Sequence, residues 1–267
     1  MTLDYIPIWL FFLLTCLLVV LCIEGGYRIG AKVHKKSIEE KESPVSGISG
    51  SILGLLAFIL VFTFNIVSER YDTKKAIVRD EAAAIRDVWL RSEFLDEANR
   101  IKSQNLIKEY VAIRVNLPRG NESFKEKTIR IEKAIDQSIK IHTQLFDIAV
   151  ANGKKDLNSD IGALYVESVN EMTNMHYKRV AISWQARIPN GFWFVLYVLF
   201  ILSMFSVGYR TAIADSTRSW STPILALSFS IVITLIAVLD RPGNNFIKVS
   251  QQPMIDFQKF INSKKTD

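Results

Sequence analysis

Hydrophobic and polar positions fall into separate blocks along this chain. Four runs, Ile6–Ile23, Ile48–Val67, Gly191–Tyr209 and Trp220–Leu239, contain no Asp, Glu, Lys or Arg. Each is close to the ~20 residues that a helix needs to cross the hydrocarbon of a bilayer. Backbone groups in lipid must pair within their own segment, so each run is expected as a membrane helix. The first run is expected to be retained rather than cleaved. Only Asp4 precedes it, where a secretory signal has a basic region, and its far end, CIEGGYR, is no small-x-small cleavage site.

The polar remainder reads as helical too. Val78, Ala82, Ile85 and Trp89 follow three-four spacing, as do Leu106, Tyr110, Ile113 and Leu117. Leu-Pro-Arg-Gly-Asn at 117–121 breaks the pattern. Phe124, Thr128, Ile131, Ile135, Ser138, His142, Leu145 and Ala149 form the next stripe, which ends at Asn152-Gly153. Ile161, Leu164, Ser168, Met172, Met175, Arg179 and Ile182 form a third, up to Pro189-Asn190-Gly191. Such narrow stripes suit helices packed on one another, and their Met and Ile positions read as core. The expected class is an all-α integral membrane protein with two pairs of membrane helices and a helical soluble domain between them. The expected divisions are a first membrane helix at 1–27, a basic linker at 28–46 and a second membrane helix at 47–68. The soluble domain follows at 69–188, then membrane helices at 189–210 and 220–240 about a linker at 211–219, and a C-terminal segment at 241–267. Ser221, Thr222 and Pro223 supply a cap and first turn for the last membrane helix. Residues 251–267 read as an interfacial amphipathic helix, with Met254, Ile255, Phe257, Phe260 and Ile261 against Lys259 and Lys264.

Composition adds little that contradicts this. The chain has 267 residues, 49% hydrophobic and 22% charged, with a formal net charge of +6. In a membrane protein that surplus reads as juxtamembrane Lys and Arg near lipid head groups, and no nucleic-acid motif opposes the reading. Cys16 and Cys22 lie in the first apolar run and read as small apolar fillers. His34, His142 and His176 are distant in sequence and match no metal spacing. Asp80 and Glu81 read as a solvated or capping pair ahead of an Ala-rich turn. Phosphate loops, nucleophile elbows and zinc-protease motifs are missing, so the expectation is no enzyme, no cofactor and no metal.

The second apolar run carries the functional signal. As a helix it places Ser51, Leu55, Phe58, Phe62 and Asn65 on one face. Gly50, Gly54 and Ala57 form a strip of small residues beside it, of the kind that lets helices approach closely. Intramembrane polar groups face a partner helix or a water-filled path. Asn65 therefore has two readings, a hydrogen bond across a helix interface or a place in a pore. Around an axis of several copies, Phe58 and Phe62 would form apolar rings and Asn65 a polar one, a known gating arrangement. Nothing interrupts the helix at Glu69, Arg70 and Tyr71, so it is expected to continue rigidly into the soluble domain.

The stretch GLLAFILVFTFNIVSERYDTKKAIVRDEAAAI resembles the opening block of the bestrophin-like membrane proteins. Arg70-Tyr71, Lys74-Lys75, Val78 and Glu81-Ala82 carry the likeness, followed by Tyr110-Val111. A second block, Arg187-Ile188-Pro189 with Trp193, leads to a last helix ending LDRPGNNFIKVSQQP. There Asp240, Arg241, Pro242 and Val249-Ser250 match, and Gly243 stands where an aromatic is usual. The resemblance implies a homo-oligomer, a pentamer in true bestrophins, that conducts small inorganic ions along its second helix, with anions slightly favoured. No acidic calcium clasp is recognisable, which argues against calcium gating. The rival class is a non-conducting membrane sensor or scaffold whose helical domain binds a ligand or partner.

Topology has two opposed indicators. Arg28, Lys32, Lys35, Lys36 and Lys41 follow the first helix, and the positive-inside rule then places both short linkers in the cytoplasm and the soluble domain outside it. The resemblance places that domain in the cytoplasm, as do Arg70, Lys74, Lys75, Arg179 and Arg187 beside the membrane. The charge rule is the expectation adopted, with a bacterial inner membrane as the location.

Overall fold

The structure is a computed structural model and describes residues 6–36, 42–117, 124–185, 187–214, 221–241 and 246–263. Among these residues the regular structure is entirely helical. In chain order the helices are α1 (Ile8–Lys36), α2 (Glu42–Arg91), α3 (Glu97–Asn116), α4 (Phe124–Gly153), α5 (Asp160–Val180), α6 (Asn190–Ile213), α7 (Ser221–Asp240) and α8 (Gln252–Ser263). A short 3-10 turn follows α2, and a π-helical turn, Ala181–Gln185, closes α5. Four helices (α1, α2, α6 and α7) are long and apolar enough to cross a membrane. The chain is thus an integral membrane protein of all-α class, as its apolar blocks require.

The residues form two compact units. The first comprises Met1–Glu69 and Arg187–Ile247, the second Arg70–Ala186 and Lys248–Asp267. Helix α2 contributes to both. Between Pro44 and Arg91 it contains only Gly as a poor helix former, at Gly47, Gly50 and Gly54, all in its first half.

The membrane unit packs α1 against α6 at unusually short range. A Cβ on Gly26 would collide with the Phe205 carbonyl, and one on Gly208 with the Ile23 carbonyl. A Cβ on Gly30 would lie 2.8 Å from the Tyr209 carbonyl oxygen. These glycines supply space, since lipid gives helices no hydrophobic drive to associate and close packing must replace it. Helix α2 adds Leu56, Leu60 and Val67 to a core with Leu196, Phe200 and Ile233. It is also tied to α6 by polar groups. The Ser49 and Ser206 hydroxyls are 2.6 Å apart, and Ser203 Oγ donates to the Ile52 carbonyl at 3.4 Å.

The helical unit has its own core, where Ile85, Val88, Ile107, Leu145, Val169 and Met172 are buried. Asp96 caps α3 by accepting from the Asn99 amide, and Ser159 caps α5 by accepting from the Gly162 amide.

Four sequence expectations need correction. Most of the expected linker at 28–46 is helix, since α1 runs to Lys36 and α2 starts at Glu42. Apolarity ends at the lipid boundary, but Lys and Arg are good helix formers and the helix continues into water. The interfacial helix expected within 251–267 packs on protein instead, over Gln252–Ser263. Met254, Phe257 and Ile261 of α8 are buried in the helical unit, and Phe257 meets Trp89 edge-on at 6.4 Å between ring centroids. The third stripe fails in its first turn, where Ile161 and Leu164 are exposed and Tyr165 is buried, while Ser168, Met172 and Arg179 are buried as expected, with Val169 and His176 beside them. The small-residue strip does not hold helices together within this chain. A Cβ on Gly50 or Gly54 would meet nothing within 4 Å, so the close approach belongs to Gly26, Gly30 and Gly208 instead. Helix α3 ends at Asn116, at the expected break, and residues 118–121 of that break, the side chain of Phe124, the capping side chains of Ser221 and Thr222, and the end of the 211–219 linker lie outside the described residues.

The α1–α6 packing gives a direct test. Gly208→Ala must push two backbones apart, and overpacking of this kind costs about 1–3 kcal/mol or more. Gly25→Ala, one residue before Gly26, meets nothing within 4 Å and gains helix propensity. Thermal melts in detergent should show a clear loss for the first variant and none for the second.

Candidate functional site: one face of α2 and a buried charge network

The five face residues of α2 lie within about 80° of arc at ~100° per residue. All five are exposed within the chain, with Phe58 at 66% and Phe62 at 50% of their full accessibility. The opposite side of the same helix, Ser49, Leu56, Leu60, Thr63 and Val67, is buried against its neighbours. Ser51 donates back to the Gly47 carbonyl at 2.9 Å, so its hydroxyl does not hold another helix. Asn65 is exposed and has no hydrogen-bond partner among the described residues, so it does not bridge helices within this chain. Further along, Glu69 is exposed, and Lys75 stands 5.0 Å above the Tyr71 ring and 2.6 Å from Asp72.

The motif residues at the ends of the last two membrane helices meet each other. Asp240, at the end of α7, accepts from the Ile188 amide at 2.9 Å, and Arg187 donates to the Asp240 carbonyl at 2.8 Å. Arg241 donates to the Ile6 carbonyl at 2.7 Å and lies over the Phe11 ring. These bonds satisfy backbone groups where chain enters or leaves a helix, and Pro189 follows at the start of α6. Pro242 lies outside the described residues.

In the helical unit, Glu81 is fully buried, not solvated as its neighbour Asp80 is. Its carboxylate accepts from Tyr110 Oη at 2.5 Å and from Arg114 Nε at 3.0 Å, and pairs with Arg179 on its other oxygen. Arg114 is itself buried and also reaches Nδ1 of His176 at 2.7 Å. Arg179 extends the chain of bonds to Oε1 of Gln251 at 2.7 Å, just before α8. The site therefore draws on α2, α3, α5 and the approach to α8. Burial alone would raise the Glu81 carboxyl, but Arg114, Arg179 and the Tyr110 hydroxyl hold it at about 2.

Sequence spacing placed His142 and His176 apart, yet the fold sets their rings 4.9 Å from each other between centroids. A guanidinium only donates, so His176 Nδ1 must accept and its ring is neutral with the proton on Nε2. Thr173 Oγ1 already donates to the Val169 carbonyl at 2.8 Å, so it accepts from His142 Nδ1 at 3.2 Å. Neither Nε2 atom has a hydrogen-bond partner among the described residues. No group of three His, Cys, Asp or Glu side chains is placed to hold a metal among them either. The signal that could have revealed this network is the i, i+4 pair Tyr110 and Arg114 on an otherwise apolar face, which requires a buried counter-charge.

Glu81→Gln leaves two buried arginines facing a neutral amide. Breaking a buried ion pair from one side costs roughly 3 kcal/mol or more. Denaturation followed by helical circular dichroism should show that loss. The carboxyl is held below its ordinary value of 4.5, so its stabilisation is present above that value and is lost as pH falls from there toward about 2.

Comparison with known proteins agrees with this architecture. A search of curated proteins found no match. Among solved structures, a variant of a bacterial bestrophin homologue from Klebsiella pneumoniae is similar at a TM-score of 0.63 and 12% identity, with 97% of this chain and 98% of that one covered. A second variant of that homologue gives 0.61 at 11% identity, covering 96% and 98%. A crystal structure described as a membrane protein variant gives 0.61 at 14% identity, covering 96% of each chain. At such identities the likeness establishes the fold. The bestrophin-like domain matches residues 13–254, nearly the whole chain, and the protein belongs to that family.

Proposed function

We propose that this protein is an oligomeric ion channel whose path is lined by the second membrane helix, with anions slightly favoured over cations. The observation that carries the reading is the α2 face itself. A membrane helix buries one side within its own chain and leaves Ser51, Leu55, Phe58, Phe62 and Asn65 together on the uncovered side. In a ring of copies, Phe58 and Phe62 form the constriction, Asn65 a polar ring beyond it and Ser51 the wider mouth. An apolar constriction gates by excluding water, and its diameter sets conduction. The ring would be a homo-oligomer, and a pentamer follows the resemblance to bestrophins. Glu69, Arg70 and Tyr71 lie on α2 where the chain passes from one unit to the other, and they are the residues proposed to carry a signal between helical unit and gate.

Ion flux through the purified protein in liposomes tests this, with chloride and potassium gradients applied separately. The wild type should pass chloride in preference to potassium. Phe62→Ala should raise flux severalfold by opening the constriction, and Asn65→Ala should alter selectivity or rate. No flux of either ion from folded, inserted wild type and Phe62→Ala protein would sink the channel reading and favour the sensor or scaffold.

On the positive-inside count the helical unit lies outside the cytoplasm. Leu157, 86% exposed, is a suitable reporter. In protein lacking Cys16 and Cys22, Leu157→Cys should react with a membrane-impermeant maleimide on intact cells. Reaction only after lysis would reverse the topology and place the unit in the cytoplasm.

A further inference from the structure

The two histidines of the helical unit have no part in the conduction path proposed above. His142 comes from α4 and His176 from α5, and both are buried. The groups facing them are Glu81 from α2, Tyr110 and Arg114 from α3, and Thr173 and Arg179 from α5, with Gln251 beyond Arg179. The Tyr110 ring lies 4.8 Å from His142 and 6.1 Å from His176, centroid to centroid. The charge balance among these groups is one carboxylate against two guanidiniums. That surplus is tolerated while both imidazoles are neutral. A proton on His176 would turn Nδ1 from an acceptor into a donor facing the donor of Arg114. A proton on either ring would add a third positive charge beside a single carboxylate, at a buried position where solvent screens it little.

We propose that His142 and His176 form a proton-operated latch: as neutral rings they hold α4 and α5 onto α3, and mildly acidic surroundings weaken that hold because the rings take up protons once the helices part. The latch stands whether or not the chain conducts ions. Burial first, and then the Arg114 charge, hold His142 down to about 4 and His176 to about 3. The sign follows from linkage. Both rings titrate lower folded than unfolded, so their stabilisation is complete above the ordinary value of 6.5 and declines as pH falls through it. Glu81 and Asp96, each held at about 2, titrate below this window.

Hydrogen exchange of the full chain in lipid nanodiscs tests the latch, corrected for the intrinsic pH dependence of exchange. Going from about pH 7.5 to about pH 5, protection in α4 and α5 should fall by roughly ten- to thirtyfold per histidine. In the double variant His142→Asn with His176→Asn, the amide keeps a polar atom at the Nδ1 position but cannot titrate. It should keep the protection seen at neutral pH and lose the pH response. An unchanged response in that variant, or no response in the wild type, overturns the proposal. Exchange at the imidazole C2 position of the wild type reads each histidine's titration without any substitution, and decides the matter should the double variant fail to fold. Midpoints for both rings below about 5 support the latch, and midpoints above about 6 overturn it.

Discussion

One buried carboxylate organises the helical unit. Glu81 has room for about four hydrogen bonds on its two oxygens, and Tyr110, Arg114 and Arg179 supply donors from two other helices. Removing a carboxylate from water is expensive, and only several charged donors at short range offset that cost. The requirement is strict in geometry. Tyr110 and Arg114, one turn apart on α3, must both face position 81 of α2, and α5 must present Arg179 to the other carboxylate oxygen. A purely apolar core would tolerate small slips of register among these helices, but this network does not. The apolar cluster around it supplies the larger part of the burial, and the ion pairs select one arrangement of the helices that share it.

The membrane unit solves the opposite problem. Lipid is as apolar as the helix surfaces, so burial of Leu or Phe against a neighbour gains little, and close packing and backbone-directed polar bonds must do the holding. Gly26, Gly30 and Gly208 remove side chains where α1 crosses α6, and serine hydroxyls join α2 to α6. At the polar ends, Asp240, Arg187 and Arg241 bond to main-chain groups that no helix satisfies. Family-motif residues here act on the backbone, which explains why charged side chains sit at the ends of otherwise apolar runs.

The four membrane helices and the all-helical class were legible because lipid imposes a length and a polarity that few other structures share. The face of α2 was legible for the same reason, as a helix repeats its surface with a fixed period. The limits of the linkers were not, because hydropathy reports where lipid ends and says nothing of where a helix ends. The glycine contacts were missed where they fall beside Arg28, in chain that reads as polar. Glu81 was misread because a carboxylate next to Asp80 looks solvated until its counter-charges, distant in sequence, are known. His142 and His176 are separated by a whole helical hairpin, and no local spacing rule reaches across such a distance. The docking of α8 was hidden likewise, since an amphipathic helix shows an apolar face without showing what covers it.

The uncovered half of α2 remains a constraint that a single chain does not meet. Its arc carries Gly50, Gly54, Ser51 and Asn65 among larger apolar residues. Lipid contact alone would favour a uniform surface of Leu, Ile and Val, as an amide in hydrocarbon is costly and a glycine there forfeits contact. The arc is better divided into two adjacent strips, small residues on one side and Phe58, Phe62 and Asn65 on the other. A neighbouring helix can close onto the first strip without touching the second. A ring of copies satisfies both at once, because each α2 then offers its small strip to a neighbour and its aromatic strip to the axis. In the proposed ring, one helix surface would divide into a buried, a neighbour-facing and an axial sector, and packing alone would tie the sequence pattern to the proposed path.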